Sequence, residues 1–157
     1  MSRKTLSPRL IAGIGLTALV GTGMSTGAAM ATPTDPIQLA GCDFGRQLST
    51  YNFADYDAYT QRVLDRSTGG FRDQFQRSSI VRRNQAEATH SSSEALSVEC
   101  STDTSDAAHA QVIVSVDDTT RSDATFGLPT SEHRVMRVYL DNVGGQWLTE
   151  RVDPMSN

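Results

Sequence analysis

The hydrophobic period of the chain changes once, near Ala86, from the 3.6-residue repeat of a helix to the two-residue repeat of a strand. Before this point, apolar residues recur three or four positions apart. After it, they alternate with polar residues in segments rich in Val and Thr. Strands that follow one another through short connections pair antiparallel. The sequence therefore predicts an α+β domain, in which N-terminal helices pack on an antiparallel sheet of about four strands.

Three helices are predicted before this change. The first begins at Asp35-Pro36, because Asp caps free amide groups and Pro suits the first helical position. Its apolar stripe consists of Ile37, Ala40, Gly41, Phe44 and Leu48. The second is predicted between an Asp55 cap and Gly69-Gly70, with an inner face of Tyr56, Tyr59, Val63 and Leu64. A short third segment is marked by Phe71 and Phe75 and closes near Arg77-Ser78-Ser79.

Four strands are predicted after the change. The first has Leu96, Val98 and Cys100 on one face and runs into a polar turn over Thr102 to Asp106. The second alternates most regularly, with an apolar face of Ala110, Val112, Val114 and Val116. A loop over 119–130 follows. Segments 134–143 and 146–152 then form a hairpin around Gly144-Gly145, because a two-residue turn needs the positive φ that glycine adopts.

The hairpin register leaves two explanations open. A symmetric turn places Leu140 opposite Thr149, Asp141 opposite Leu148, Asn142 opposite Trp147 and Tyr139 opposite Glu150, and neither face is then purely apolar. In the first explanation, a β-bulge corrects the register. In the second, another protein or a second copy of the chain covers the second face. That candidate partner face consists of Tyr139, Val143, Leu148 and Val152.

The N-terminus has the pattern of an export signal. Arg3, Lys4 and Arg9 precede an uncharged stretch, and its strongly apolar part, residues 10–20, is shorter than the roughly 20 residues of a spanning helix. Ala29-Met30-Ala31 matches a signal peptidase site. We expect cleavage after Ala31 and a single domain over 32–157; a retained leader that anchors the chain is the alternative. The mature chain would carry a net charge of −7 and no basic patch, which argues against nucleic-acid binding.

Cys42 and Cys100 are the two cysteines of the chain. Cysteines in an exported protein commonly pair, so the sequence predicts a disulfide between them. The alternative for Cys42 is lipidation, because Leu39-Ala40-Gly41-Cys42 matches the lipoprotein box. The charged segment 32–36, however, separates this box from the apolar run. Their spacing does not resemble a zinc site, and no metal or cofactor is predicted.

The residues provide no catalytic grouping. His90, His109 and His133 lie in polar surroundings, where solvated or locally bonded side chains are expected. Asp117-Asp118 lacks the glycine-centred acidic loop of a calcium site and is interpreted as a polar strand end. The remaining acids considered are expected to cap helices or face solvent: Asp43, Asp55, Asp57 and Asp65. We therefore expect a protein that is not an enzyme.

Five segments carry a family resemblance over roughly residues 39–152. The most specific includes Ser67-Thr68-Gly69-Gly70-Phe71-Arg72 and ends at Phe75. The others are residues 48–53, 112–117, 137–140 and 145–148. Together they resemble the Mce-associated membrane proteins (Mam type), accessory to the Mce lipid-import systems of actinobacteria. Family members usually carry a spanning helix before this domain, and the present leader differs in this respect.

The resemblance implies an NTF2-like domain, a bent sheet wrapped by helices, at the outer side of the cytoplasmic membrane. It implies an exported accessory protein that associates with Mce-complex subunits or other envelope proteins. Two alternatives stay open: a structural homodimer, and a small lipid- or sterol-binding protein or isomerase that uses the interior of the cone. The residues expected to line that pocket are Tyr51, Tyr56, Tyr59 and Trp147.

Overall fold

The computed structural model describes residues 35–156, which fold into three α-helices and a five-stranded antiparallel sheet. The predicted signal peptide and its cleavage after Ala31 lie outside the described residues. The helices are α1 (Pro36–Ser49), α2 (Tyr56–Leu64) and α3 (Gly69–Ala88). The strands are β1 (Tyr51–Asn52), β2 (Ser92–Ser105), β3 (His109–Arg121), β4 (Thr130–Val143) and β5 (Gln146–Met155).

The order of strands in the sheet follows their order in the chain. This confirms the α+β class, with one strand more than the sequence predicted. The additional strand is β1, whose two residues pair with Ser92 and Ser93 at the start of β2. Two-residue strands have no detectable alternation, so periodicity could not reveal it. No helix within residues 35–156 is long and apolar enough to cross a membrane.

Helix α1 packs directly on the middle of the sheet. It begins as predicted, with the Asp35 carboxylate accepting a hydrogen bond from the Ile37 amide at 3.0 Å. Gly41 and Gly45, one turn apart, face β3. A Cβ atom at either position would lie 2.7 Å or 2.6 Å from a valine methyl of β3. The absence of side chains at these two positions allows the helix to approach the sheet this closely.

The predicted disulfide is present between Cys42 of α1 and Cys100 of β2, with Cα atoms 5.7 Å apart. Cys42 lies on the flank of α1, away from its apolar stripe. Because α1 contacts both β2 and β3, this flank faces β2. The disulfide occupies the sulfur that lipidation would require. The lipoprotein box itself lies within helix α1.

The boundary between α2 and α3 differs from the prediction. Asp55 stands at the cap of α2 but makes no side-chain capping bond, and α2 ends at Leu64. Gly69-Gly70 begins the next helix rather than ending this one. Residues 65–68 form a connection that is held to β5 by two hydrogen bonds, Thr68 N to Thr149 O and Thr149 N to Arg66 O, both 2.8 Å.

Helix α3 is much longer than predicted, with 20 residues up to Ala88. The serines expected to end it donate to carbonyl groups within the helix, Ser78 to Gln74 at 3.0 Å and Ser79 to Gln76 at 2.8 Å. Only Phe75 and Ala86 are buried in α3. The helix therefore has almost no apolar periodicity beyond Phe75 from which its length could be predicted.

Strand β2 contains two register irregularities, between Ala95 and Ser97 and between Thr102 and Thr104. The first changes which residues face inward, so Ala95 is buried and Leu96 is 60% exposed. The prediction that Leu96 shares a face with Val98 and Cys100 is therefore wrong. The predicted polar turn is also wrong in position, because β2 continues to Ser105.

Strand β3 has the predicted inner face, and three of its four members, Val112, Val114 and Val116, are fully buried. It continues to Arg121 and β4 begins at Thr130. The predicted loop over 119–130 is thereby reduced to residues 122–129. Strand pairing extends into this polar sequence because the backbone hydrogen bonds of the ladder do not depend on apolar side chains.

The β4–β5 hairpin turns at Gly144 and Gly145, with φ values of 61° and 90°. Three predicted pairs are confirmed: Leu140 with Thr149, Asp141 with Leu148, and Asn142 with Trp147. The fourth is wrong, because a register shift places Tyr139 opposite Arg151. This shift confirms the bulge. It also turns Val152 inward opposite Val138, where it packs against the core, so Val152 does not belong to the second face.

Candidate functional site

A cavity of about 560 Å³ opens between the C-terminal half of α3 and the adjoining ends of β3 and β4. This volume lies within the range of small-molecule pockets. Residues from α1, β1 and α2 complete its wall, and the lining as a whole is Leu48, Tyr51, Tyr56, Tyr59, Arg82, Gln85, Ala86, Thr89, Ser91, Thr120, Ser122 and Arg134. Most of these side chains are polar, in contrast to the apolar interior expected for a sterol binder.

Three of the four tyrosine and tryptophan residues predicted to line a pocket lie together in this wall. The rings of Tyr51, Tyr56 and Tyr59 are mutually in contact, with centroids 4.9–5.7 Å apart. The fourth residue, Trp147, lies instead at the hairpin end of β5, packed against the core. The aromatic wall results from helical spacing in α2 together with the short strand β1.

Burial keeps the inner tyrosines protonated. It raises the pKa of Tyr59 far above its ordinary value, and that of Tyr56 less strongly; the Arg82 guanidinium opposes both increases. The Tyr59 hydroxyl donates to the Leu48 carbonyl at 3.1 Å. Neither phenol can therefore serve as a proton acceptor near neutral pH.

Two arginines line the cavity, Arg82 and Arg134. The second of them is bound by Asp118, a fully buried carboxylate that does not itself line the cavity. Asp118 has no exposed surface, and it accepts a hydrogen bond from Arg134, whose side chain is 44% exposed. Arg134 also donates to the Ser49 hydroxyl at 3.4 Å. The second carboxylate oxygen of Asp118 has no hydrogen-bond partner within residues 35–156. The ion pair thus fixes the guanidinium at the cavity wall and leaves one buried acceptor unused.

Asp118 corrects the interpretation of Asp117-Asp118 as a polar strand end. A signal was available in the sequence, because the alternation of Ala110 to Val116 continues inward to position 118. Its partner Arg134 lies 16 residues away on β4. That pairing depends on the sheet register, so the sequence alone did not indicate it.

The other arginine of the cavity, Arg82, lies on the exposed surface of α3. Its guanidinium is 5.3 Å from the centroid of the Phe75 ring, within the range of a cation–π contact. Within residues 35–156 it forms no ion pair, whereas its neighbour Arg83 pairs with Asp57 at 2.9 Å. No carboxylate or imidazole lines the cavity in this part of the chain. Its lining charge is therefore positive.

Comparison with solved structures shows that the fold of this domain occurs in other proteins. An NTF2-like protein involved in plasmid conjugation gives a TM-score of 0.53 at 8% identity; the match covers 76% of this chain and 47% of that one, so the present chain spans less than half its length. CagV, a VirB8 homologue of the type IV secretion system of Helicobacter pylori, gives 0.57 at 9% identity, with 77% and 97% covered. The periplasmic domain of DotI gives 0.54 at 13%, with 82% and 99% covered.

The domain has the NTF2-like fold. At identities this low, the structural comparison establishes the fold alone, and it confirms the fold that the sequence resemblance implied. No protein-family model matches the sequence, and no curated protein matches it. Membership of the Mce-associated family stays a prediction.

The outer face of the NTF2-like sheet carries a second polar cluster. The His133 ring lies 2.6 Å from Asp117 Oδ1 through Nδ1 and 3.5 Å from the Ser115 hydroxyl through Nε2. Asp117 also accepts from Ser97 at 2.7 Å. The contact order is that of a Ser-His-Asp triad. The cluster, however, is open to solvent, and neighbouring strands pair on both sides, so no free pair of amide groups can bind an oxyanion.

The other histidines are likewise beside carboxylates, His90 at 2.8 Å from Asp123 and His109 at 3.7 Å from Asp106. These polar, locally bonded positions agree with the sequence analysis. No group of three or more His, Cys, Asp or Glu within the described 35–156 segment is placed to hold a metal ion.

The candidate partner face is smaller than predicted. By the alternation of their strands, Tyr139, Val143 and Leu148 lie on the outer face of the hairpin. The Arg151 guanidinium covers the Tyr139 ring at 3.7 Å from its centroid. Val143 is 49% exposed at the turn. The apolar part of this face is therefore concentrated at the hairpin end.

Proposed function

We propose that this protein is an exported, non-catalytic accessory component of a cell-envelope complex, and that the complex is an Mce-type lipid importer. The main support is the fold, which nearly the whole lengths of CagV and the DotI periplasmic domain share with this chain. The Cys42–Cys100 disulfide supports an oxidising compartment. The Mce assignment is supported by the sequence segments that resemble the Mam family.

The side chains around the cavity support a role without bond chemistry. A base-catalysed isomerase needs a carboxylate or imidazole within reach of its substrate. Asp118 does not line the cavity and is already paired with Arg134. With Tyr56 and Tyr59 held protonated, the lining can donate hydrogen bonds but offers no carboxylate or imidazole to act as a general base.

We propose that contact with the complex uses the exposed hairpin end of the outer sheet face. The experiment is crosslinking in living actinobacterial cells that express the tagged full chain, followed by quantification of Mce subunits. We expect Val143→Arg to reduce their recovery several-fold. Leu96→Arg is the matched control, because Leu96 is similarly exposed but lies on β2, toward the opposite end of the sheet.

Recovery of Mce subunits that depends on Val143 and not on Leu96 supports the assignment. If no Mce subunit is recovered, the Mce assignment is wrong. If only subunits of another envelope complex are recovered, the accessory role stands and its partner is different. A crosslinked product between two copies of the chain alone indicates the structural homodimer instead.

The cavity supports a second candidate function, binding of a small ligand. Its 560 Å³ volume and open mouth are specific observations in favour. The isomerase form of this alternative is disfavoured because no carboxylate or imidazole that could act as a general base lines the cavity within the described residues. Ligand binding is compatible with the accessory role, because the cavity and the hairpin end are separate surfaces.

A further inference from the structure

Every polar side chain of the cavity lining carries at least one hydrogen-bond donor. Two guanidinium groups, from Arg82 and Arg134, carry only N–H donors. Burial raises the pKa of Tyr56, so its phenol stays protonated and can donate. The Ser91 hydroxyl accepts from Tyr51 at 3.5 Å and keeps its own hydrogen as a further donor. A cavity that offers many donors and no carboxylate is matched by a ligand rich in acceptors.

The charges of the two cavity arginines also favour a ligand that is rich in acceptors. Asp118 offsets Arg134, whereas Arg82 has no acidic partner within the described residues. One positive charge is therefore uncompensated at the mouth of the cavity. The chain as a whole is acidic, with a net charge of −4, so this positive site is local. Guanidinium groups bind carboxylates and phosphates with two parallel hydrogen bonds.

Apolar surface is available beside these donors. Leu48, Ala86 and the ring faces of Tyr51 and Tyr56 belong to the same wall. The cavity is too large for a simple inorganic anion to fill, and its volume suits a molecule with a body attached to its charged group. The combination of donors, charge and apolar surface specifies an anionic amphiphile.

We propose that this cavity is a binding site for a small amphiphile with a carboxylate or phosphate head group. Arg82 and the Tyr56 hydroxyl contact the head group, and Arg134, held from behind by Asp118, adds a third donor. The apolar body lies along Leu48 and the tyrosine rings. This proposal develops the second candidate function and does not depend on the transporter assignment.

The test is isothermal titration calorimetry of the oxidised protein from an exporting host, with probes below their micelle concentration. Decanoate, decyl phosphate, decanol and inorganic phosphate separate the contributions of charge and chain. We expect one-to-one binding of decanoate or decyl phosphate, and at least tenfold weaker binding of uncharged decanol. Inorganic phosphate binding with the affinity of decyl phosphate would assign the site to a free anion and overturn the amphiphile.

The variant for the test is Arg82→Gln, with Arg77→Gln as its matched control. Both arginines are exposed on α3, but Arg77 does not line the cavity. Losing a charge-assisted hydrogen bond should weaken binding of the anionic probe about tenfold in Arg82→Gln. The Arg77→Gln variant should remain within twofold of the unchanged protein.

Besides equal binding of inorganic phosphate, three results would overturn the proposal: no binding of either anionic amphiphile, equal binding of decanol, or equal weakening in both variants. Each of these leaves the crosslinking result with Mce subunits unaffected. Conversely, failure of the crosslinking experiment does not alter the titration. The two proposals can therefore fail independently.

Discussion

The two partners of the Asp118–Arg134 ion pair differ greatly in their exposure to solvent. Asp118 is entirely buried, while the Arg134 side chain is 44% exposed. Removing the aspartate leaves an arginine that water can still solvate. Removing the arginine leaves a buried carboxylate without a counter-charge, which costs far more free energy.

We therefore expect Arg134→Met to destabilise the protein by about 3 kcal/mol and Asp118→Asn by only about 1 kcal/mol, measured by urea denaturation. The double variant should recover most of the loss, because the buried charge is then absent. Equal losses in the two single variants would contradict this account, because they would show that the buried carboxylate needs its counter-charge no more than the exposed arginine does.

The contact between Asp117 and His133 predicts that the carboxyl group of Asp117 titrates at a lower pH than an ordinary aspartate. The hydrogen bond from His133, with a second from Ser97, lowers the pKa of Asp117 below its ordinary value. A carboxyl whose pKa is lowered by folding stabilises the folded state above its ordinary pKa of about 3.9 and loses this effect as the pH falls through the folded value.

Carbon-detected NMR titration should show this low pKa of Asp117 and its return toward the ordinary value in His133→Ala. Asp106 is the internal control. Its pKa is lowered by backbone amides of Ala108 and His109 rather than by His133, so it should not respond to the variant. An unchanged Asp117 titration would contradict the assigned hydrogen bond.

At the scale of elements, the contact between α1 and β3 depends on two glycines. A Cβ at Gly45 would lie 2.6 Å from Val114 Cγ1, closer than atoms in folded proteins approach. Val114 is fully buried and branched at Cβ, so its methyl group has little freedom to move. The helix and the strand must therefore separate if a side chain is added.

We expect Gly45→Ala to destabilise the protein by about 1–2 kcal/mol, although alanine favours a helix more than glycine does. Thermal unfolding measures the change. Combining it with Val114→Ala, which removes the opposing methyl groups, should cost less than the sum of the two single changes. The pair Arg46→Gly and Arg46→Ala, at the exposed neighbouring position, measures the difference in helix propensity between glycine and alanine alone. A stabilised Gly45→Ala variant would exclude the close contact.

At the scale of the whole molecule, the disulfide joins the helical and sheet parts across 58 residues of sequence. Closing a loop of this length stabilises a protein by about 4 kcal/mol in the chain-entropy model. Dithiothreitol should thus lower the urea midpoint of the protein strongly. The double variant Cys42→Ser with Cys100→Ser should have the lowered midpoint with or without reductant.

Intact-mass measurement of the native protein checks the same bond by another route. Disulfide formation removes two hydrogens, about 2 Da, relative to the reduced chain. An acyl chain on Cys42 would instead add several hundred daltons and would contradict the pairing.

The sequence by itself determined those features that depend on neighbouring residues. The cap at Asp35, the alternation of Val112, Val114 and Val116, and the Gly144-Gly145 turn follow from local backbone preferences, and the structure contains all three. The inner face of α2 was also predictable from local sequence, through its helical spacing. It brought Tyr56 and Tyr59 to the cavity wall, so much of the candidate site could be predicted.

Tertiary structure alone decided what depends on partners distant in sequence. The bulges beside Leu96 and Tyr139 exist because paired strands must both present apolar residues to one core, and they moved Leu96 outward and Val152 inward. The length of α3 and the position of Trp147 could not be predicted from local sequence patterns either. The Asp118–Arg134 pair forms only where β3 and β4 align, because an ion pair depends on distance in space and leaves no period in the sequence.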